Sequence, residues 1–188
     1  MKQKRKLRLL FVALILMVAG IVYAASVTQT YSANTALTVT NLNSLGNSIT
    51  AGWHSVLIDN RTTKALDYQI NVKLDFAATA KANDEAVYVY IIPAYNDGAW
   101  NLNDGGTATL PAATEGTYTV GTQHNFVLAA VIHYEATGQV VQKTFNIGAA
   151  LGYRMVDGFS VYILNFTGAA IAASGNEVNY KSIAGDVS

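Results

Sequence analysis

The sequence predicts an all-β protein: an antiparallel β-sandwich, jelly-roll-like, with about eight strands, after an N-terminal hydrophobic leader helix. Three observations lead there. Residues 66–76, LDYQINVKLDF, alternate apolar and polar at every position. Other short runs are rich in β-branched and aromatic residues and are bounded by turn residues. No stretch after residue 25 has helical periodicity.

Residues 1–24 begin with Lys2, Lys4, Arg5, Lys6 and Arg8 and continue into an uncharged run from Leu9 to Ala25. Val22 and Ala24 are small residues at the −3 and −1 positions of a cleavage site, the pattern of a secretory signal peptide. The run is 17 residues long, a little under the ~20 of a comfortable membrane span. The segment is therefore read as a signal peptide, with a retained anchor as the alternative. Either way the basic end stays inside and residues 25–188 form one exported domain, in the periplasm, outside the cell or on its surface. The membrane is a partner only if the leader is retained.

In residues 66–76, Leu66, Tyr68, Ile70, Val72, Leu74 and Phe76 face one way, while Asp67, Gln69, Asn71, Lys73 and Asp75 face the other. Such a strand has one buried and one wet face. Ala86–Ile92, Phe126–Tyr134 and Phe159–Phe166 are apolar on both faces. A two-layer sandwich buries one face of each sheet, so something must cover the second faces: loops of the same chain or neighbouring subunits. Ala36–Thr40, Trp53–Ile58, Gln139–Ile147 and Val178–Tyr180 complete the strands. Residues 135–138 read as a hairpin loop, and 148–157 have room for one short helical turn.

The formal net charge of zero hides an asymmetry. Without the leader, seven basic residues face twelve acidic ones, a net charge of −5. An acidic body with no basic patch argues against nucleic-acid partners. The chain has no cysteine, which excludes disulfides, cysteine zinc sites and thiol catalysis.

Tyr95–Gly116 reads as a long loop rich in Gly, Asn and Asp. Long loops on rigid scaffolds often carry recognition. Tyr95, Trp100, Asn101 and Asp104 are its candidate ligand-binding residues, with Trp100 placed to stack on a sugar or anchor a protein. Asn96, Asp97 and Asn103 add oxygen ligands, but the calcium-loop spacing is incomplete and no Glu closes it; turn formation accounts for the composition. No metal and no cofactor is expected. Asp59 and Asp67, eight residues apart, read better as turn-shaping groups than as an acid/base pair. Asn60-Arg61-Thr62 and Asn165-Phe166-Thr167 are formal glycosylation sequons. His54, His124 and His133 lack metal-ligand spacing, and no nucleophile elbow, phosphate loop or dinucleotide fingerprint occurs. No catalytic residue is assigned, and the protein is expected not to be an enzyme.

Several segments together resemble the small β-sandwich proteins that decorate or cement the capsids of tailed bacteriophages. They are Val27–Tyr31, Ala36–Val39, Ser55–Asn60 with Leu66-Asp67-Tyr68, Val87–Tyr90 with Asn96-Asp97-Gly98, and Phe159–Tyr162 followed by Asn176–Tyr180. The resemblance implies a virion structural protein, homo-oligomeric and usually trimeric, bound to a capsid or surface lattice, without catalysis. An export leader departs from that family's pattern. The alternative is an exported recognition module that binds a glycan or other surface ligand through residues 95–116.

Overall fold

The structure is a computed structural model and describes residues 27–76, 86–96, 100–102, 114–119, 126–136, 138–154 and 156–187. The expected leader lies outside them. The chain forms two compact units, residues 31–184 and residues 1–30 with 185–188. All but the last residue of strand β1 (Val27–Tyr31) lies in the smaller unit, where the strand runs beside the end of β12 (Glu177–Val187).

The larger unit holds the sandwich. Its strands are β2 (Thr35–Ala36), β3 (Ala51–His54), β4 (Ile58–Asp59), β5 (Asp67–Asp75), β6 (Ala86–Asn96), β7 (Trp100–Leu102), β8 (Gly116–Thr119), β9 (Val127–His133), β10 (Val140–Asn146), β11 (Gly158–Phe166) and most of β12. Two single-turn helices, α1 (Asn60–Thr63) and α2 (Ile147–Ala150), interrupt them. The smaller sheet runs β2-β12-β5-β10, and the larger runs β9-β6-β11-β3-β8. β7 continues the place of β9 along β6, and β4 continues that of β3 along β11. All the registered pairs are antiparallel, and the chain passes repeatedly from one sheet to the other, as in a β-sandwich.

The expected alternation in residues 66–76 appears in β5, where buried and half-buried residues alternate without a break. Its apolar face packs on the larger sheet. Tyr68, Ile70, Val72, Leu74 and Phe76 meet Trp53, Val87, Val89, Ile91, Phe159, Val161 and Ile163 in one core. Tyr68 sets its ring edge-on to Phe159 across the layers, with centroids 5.0 Å apart, and Phe76 stacks on Tyr134 at 4.2 Å. Each fully buried large side chain contributes about 1.5–3 kcal/mol.

The expected count of about eight is exceeded among the described residues, for identifiable reasons. The strand foreseen over Trp53–Ile58 breaks after His54. There the Ser55 hydroxyl accepts from the Val161 N–H at 3.0 Å, and the Ser160 hydroxyl donates to the Ser55 carbonyl at 3.0 Å. The strand foreseen over Ala36–Thr40 stops at Ala36. Within the region foreseen as a loop from Tyr95 to Gly116, the described residues include strand, since β6 runs on to Asn96 and β7 pairs back on it; residues 97–99 and 103–113 lie outside the described residues.

The doubly apolar strands are covered from within the chain at their centre. Ile92, Ala94, Phe126, Tyr162 and Leu164 form a second cluster on the outer side of the larger sheet, flanked by the partly buried Leu57, Tyr88, Tyr90 and Tyr118.

Candidate functional site

Three of the four residues nominated from sequence, Tyr95, Trp100 and Asn101, fall on the β6–β7 pair. Tyr95 registers opposite Asn101, and Asn96 opposite Trp100. Asp104, like Asp97 and Asn103, lies outside the described residues. The structure thus brings the backbones of Tyr95, Trp100 and Asn101 together on one hairpin.

A more fully defined surface lies on the outer side of the larger sheet. Register places Tyr90, Tyr162, His54 and Gly116 on one rung across β6, β11, β3 and β8, and beyond it pairs Tyr88 with Leu164 and Gly52 with Tyr118. Tyr162 is fully buried and lies across β3. A Cβ added at Gly52 would sit 2.6 Å from Tyr162 Cζ and 2.5 Å from the Ile163 carbonyl, so Gly52 is the gap that admits the ring. The Tyr162 hydroxyl reaches β8 and donates to the Tyr118 carbonyl at 3.2 Å. Burial pushes this phenol well above its ordinary range, which keeps it a neutral donor.

Tyr90 tilts against Tyr162 at 6.3 Å, Phe126 at 6.2 Å and Tyr88 at 6.5 Å. Burial raises the Tyr90 phenol, with a smaller contribution from Tyr88. Tyr88, Tyr90 and Tyr118 remain partly exposed, and Leu128, opposite Tyr90 on β9, is 49% exposed. The result is a tyrosine-rich face seated on a closed apolar base.

The carboxylates are mostly occupied with holding the fold. Asp59 caps α1 by accepting from the Arg61 N–H at 2.8 Å and pairs with the Arg61 guanidinium at 2.7 Å, which lowers its pKa. Asp67 accepts from the Gly148 N–H at 2.7 Å and from Asn146 Nδ2 at 3.0 Å. Asp59 thus shapes its own turn, as the turn-shaping reading expects, whereas Asp67 ties the start of β5 to the start of α2. Glu115 accepts from the indole N–H of buried Trp53 and from both the backbone and side-chain nitrogens of Asn41. Glu177 pairs with Lys73 at 2.7 Å, which holds its carboxyl below the usual range. Among the described residues, no three His, Cys, Asp or Glu side chains gather where a metal could sit.

Both sequon asparagines are buried and bonded. Asn60 Nδ2 donates to the Val156 carbonyl at 3.2 Å, and its Oδ1 accepts from the Tyr68 hydroxyl at 2.9 Å. Asn165 Nδ2 donates to the Leu45 and Ala169 carbonyls at 3.1 and 2.7 Å. Their amides tie loops to strands.

No protein-family model, curated protein or solved structure matches the chain. Among the described residues, no helix is long and apolar enough to cross a membrane.

Proposed function

We propose that this chain is a non-enzymatic, exported structural subunit that self-associates through the outer face of its larger sheet. The observation that carries this reading is the row of partly exposed Tyr88, Tyr90 and Tyr118 beside exposed Leu128, laid over a cluster that is already closed. Such a face combines a rigid base with side chains that are apolar in the body and polar at the tip. Those are the residue types that anchor protein contacts. A twofold contact would set the same patch on both partners. The structural duties of Asp59, Asp67, Glu115 and Glu177 support the non-catalytic part of the reading. Jelly rolls serve as capsid and lectin domains, and fold alone does not choose between them; the tyrosine face favours assembly.

The test is light scattering behind size-exclusion chromatography on the full chain as recovered from an exporting host, across a hundredfold range of concentration. The reading expects a discrete oligomer that the Tyr88→Ser/Leu128→Ser variant dissociates while its β-sheet spectrum is unchanged. A monomer at every concentration would overturn it. The decoration-protein form of the reading further expects co-sedimentation with a capsid or cell-surface lattice.

A further inference from the structure

The outer face of the smaller sheet carries a polar grid that nothing in the assembly reading uses. Register sets Glu177, Lys73 and Gln142 on one rung across β12, β5 and β10. Asn179, Asn71 and Thr144 form the next, and Lys181, Gln69 and Asn146 the third. All nine side chains are hydrogen-bonding groups, and five are Asn or Gln. Asparagine is a poor strand residue, yet Asn71, Asn146 and Asn179 stand within three adjacent strands, Asn146 tied to Asp67.

A cleft of about 300 Å³ opens over the lower two rungs, lined by Asn34, Gln69, Asn71, Thr144 and Lys181. One wall is fixed in place: Asn71 Oδ1 accepts from Gln142 Nε2 at 2.8 Å and from Thr144 Oγ1 at 3.0 Å. That leaves both amide N–H groups of Asn71 to donate elsewhere. Lys181 forms no ion pair among the described residues, whereas Lys73, two rungs away, is neutralised by Glu177.

From this geometry we infer that the cleft binds a carboxylate-bearing sugar, a uronic-acid-type residue of a surface polysaccharide. The volume lies at the small end of ligand pockets, the size of a single-ring ligand. Amides and hydroxyls both donate and accept, matching the hydroxyls of a sugar ring. An apolar ligand would strip water from these groups without replacing its bonds. The ammonium of Lys181 supplies the one unpaired positive charge on the lining, in a body of net negative charge, and it selects an anionic ring over a neutral one. Apart from Asn34, the lining stands on paired strands, so its groups are held ready. This inference is independent of self-association, since it uses the opposite sheet.

The experiment is titration of the full chain with methyl glucuronide, methyl glucoside and acetate, followed by amide NMR and calorimetry. Methyl glucuronide is expected to bind saturably with a Kd on the order of 1 mM, about 4 kcal/mol, shifting the amides of Gln69, Asn71, Thr144 and Lys181. Methyl glucoside and acetate are each expected to bind at least tenfold more weakly. Lys181→Gln is expected to weaken glucuronide about tenfold and leave glucoside unchanged, and Asn71→Ala to weaken both sugars. No saturable shift at the grid overturns the inference. So does equal binding of glucuronide and glucoside, acetate binding as well as glucuronide, or a Lys181→Gln variant that binds glucuronide undiminished.

Discussion

Glu115 sits at a corner where one substitution has a cost that follows from the geometry. Its carboxylate accepts from Trp53 Nε1, from the Asn41 N–H at 3.1 Å and from Asn41 Nδ2 at 2.9 Å. Trp53 is fully buried in the core, while Asn41 is exposed. In Glu115→Ala the Asn41 donors turn to water at a modest cost, but the indole N–H loses its acceptor away from solvent. Leaving a buried donor unsatisfied costs about 1–3 kcal/mol, and losing the charged acceptor at Asn41 adds about 1 kcal/mol. The expected loss is about 3 kcal/mol, or a fall in Tm of about 6–12 °C for a domain of this size. Glu115→Gln keeps an acceptor and is expected to cost about 1 kcal/mol. Urea denaturation followed by tryptophan fluorescence measures both. A double-mutant cycle with Trp53→Phe isolates the indole bond, because the cost of Glu115→Ala should drop to about 1 kcal/mol once the donor is gone. A Glu115→Ala variant within about 0.5 kcal/mol of the parent, or an unchanged cost in the Trp53→Phe background, would refute the argument.

Gly52→Ala places a Cβ 2.5 Å from the Ile163 carbonyl and 2.6 Å from the Tyr162 ring. The carbonyl belongs to a paired strand and cannot retreat, so a loss of about 1–3 kcal/mol is expected in the same denaturation assay. Tyr68, Tyr90 and Tyr162 all have phenols raised by burial. A folded-state pKa above the unfolded value of about 10 gives stability that is complete below that pH and lost as pH rises through the folded value. Denaturation midpoints should therefore hold up to about pH 10 and fall beyond it. The Tyr162→Phe variant should show a shallower fall, and an unchanged alkaline slope would count against the buried hydroxyl. Asp59 and Glu177 shift the other way, each held below its usual range by a basic partner. Their small contribution is present at neutral pH and lost on acidification below about pH 4. Being exposed, they should leave only a shallow acid limb in the same series.

The sandwich was legible because its central strands announce themselves. The unbroken alternation of residues 66–76 gave β5 to within a residue at each end, and the aromatic and β-branched runs gave β6, β9 and β11 to within a few. Short edge strands were not legible. β7 and β8 have three and four residues, too few for periodicity to rise above turn composition, and the Gly, Asn and Asp around them signalled loop. The break after His54 depends on Ser55 and Ser160 bonding across strands, which no local pattern shows. The proposed surfaces follow the same rule. Tyr88 and Tyr90 were visible as alternate residues of one strand, but their place around one cluster with Tyr118 and Tyr162 is set by register. Likewise Gln69, Asn71 and Lys73 were visible as the wet face of β5. That Thr144, Asn179 and Lys181 complete a grid around them required the pairing of β10 and β12. Tyr95, Trp100 and Asn101 were singled out for composition, and the structure joins them on a hairpin; Asp104 lies outside the described residues.

The absence of cysteine allows a single spin label to be placed at will, and this gives the most direct test of the proposed assembly surface. Nitroxides at Leu128→Cys and at Tyr153→Cys report on two exposed positions, one on the tyrosine face and one on the turn after α2. In the associated state, the label at 128 should be immobilised and recover its mobility on dilution, while that at 153 stays mobile throughout. Equal mobility at both positions at high concentration, with a monomeric mass, would contradict self-association through this face.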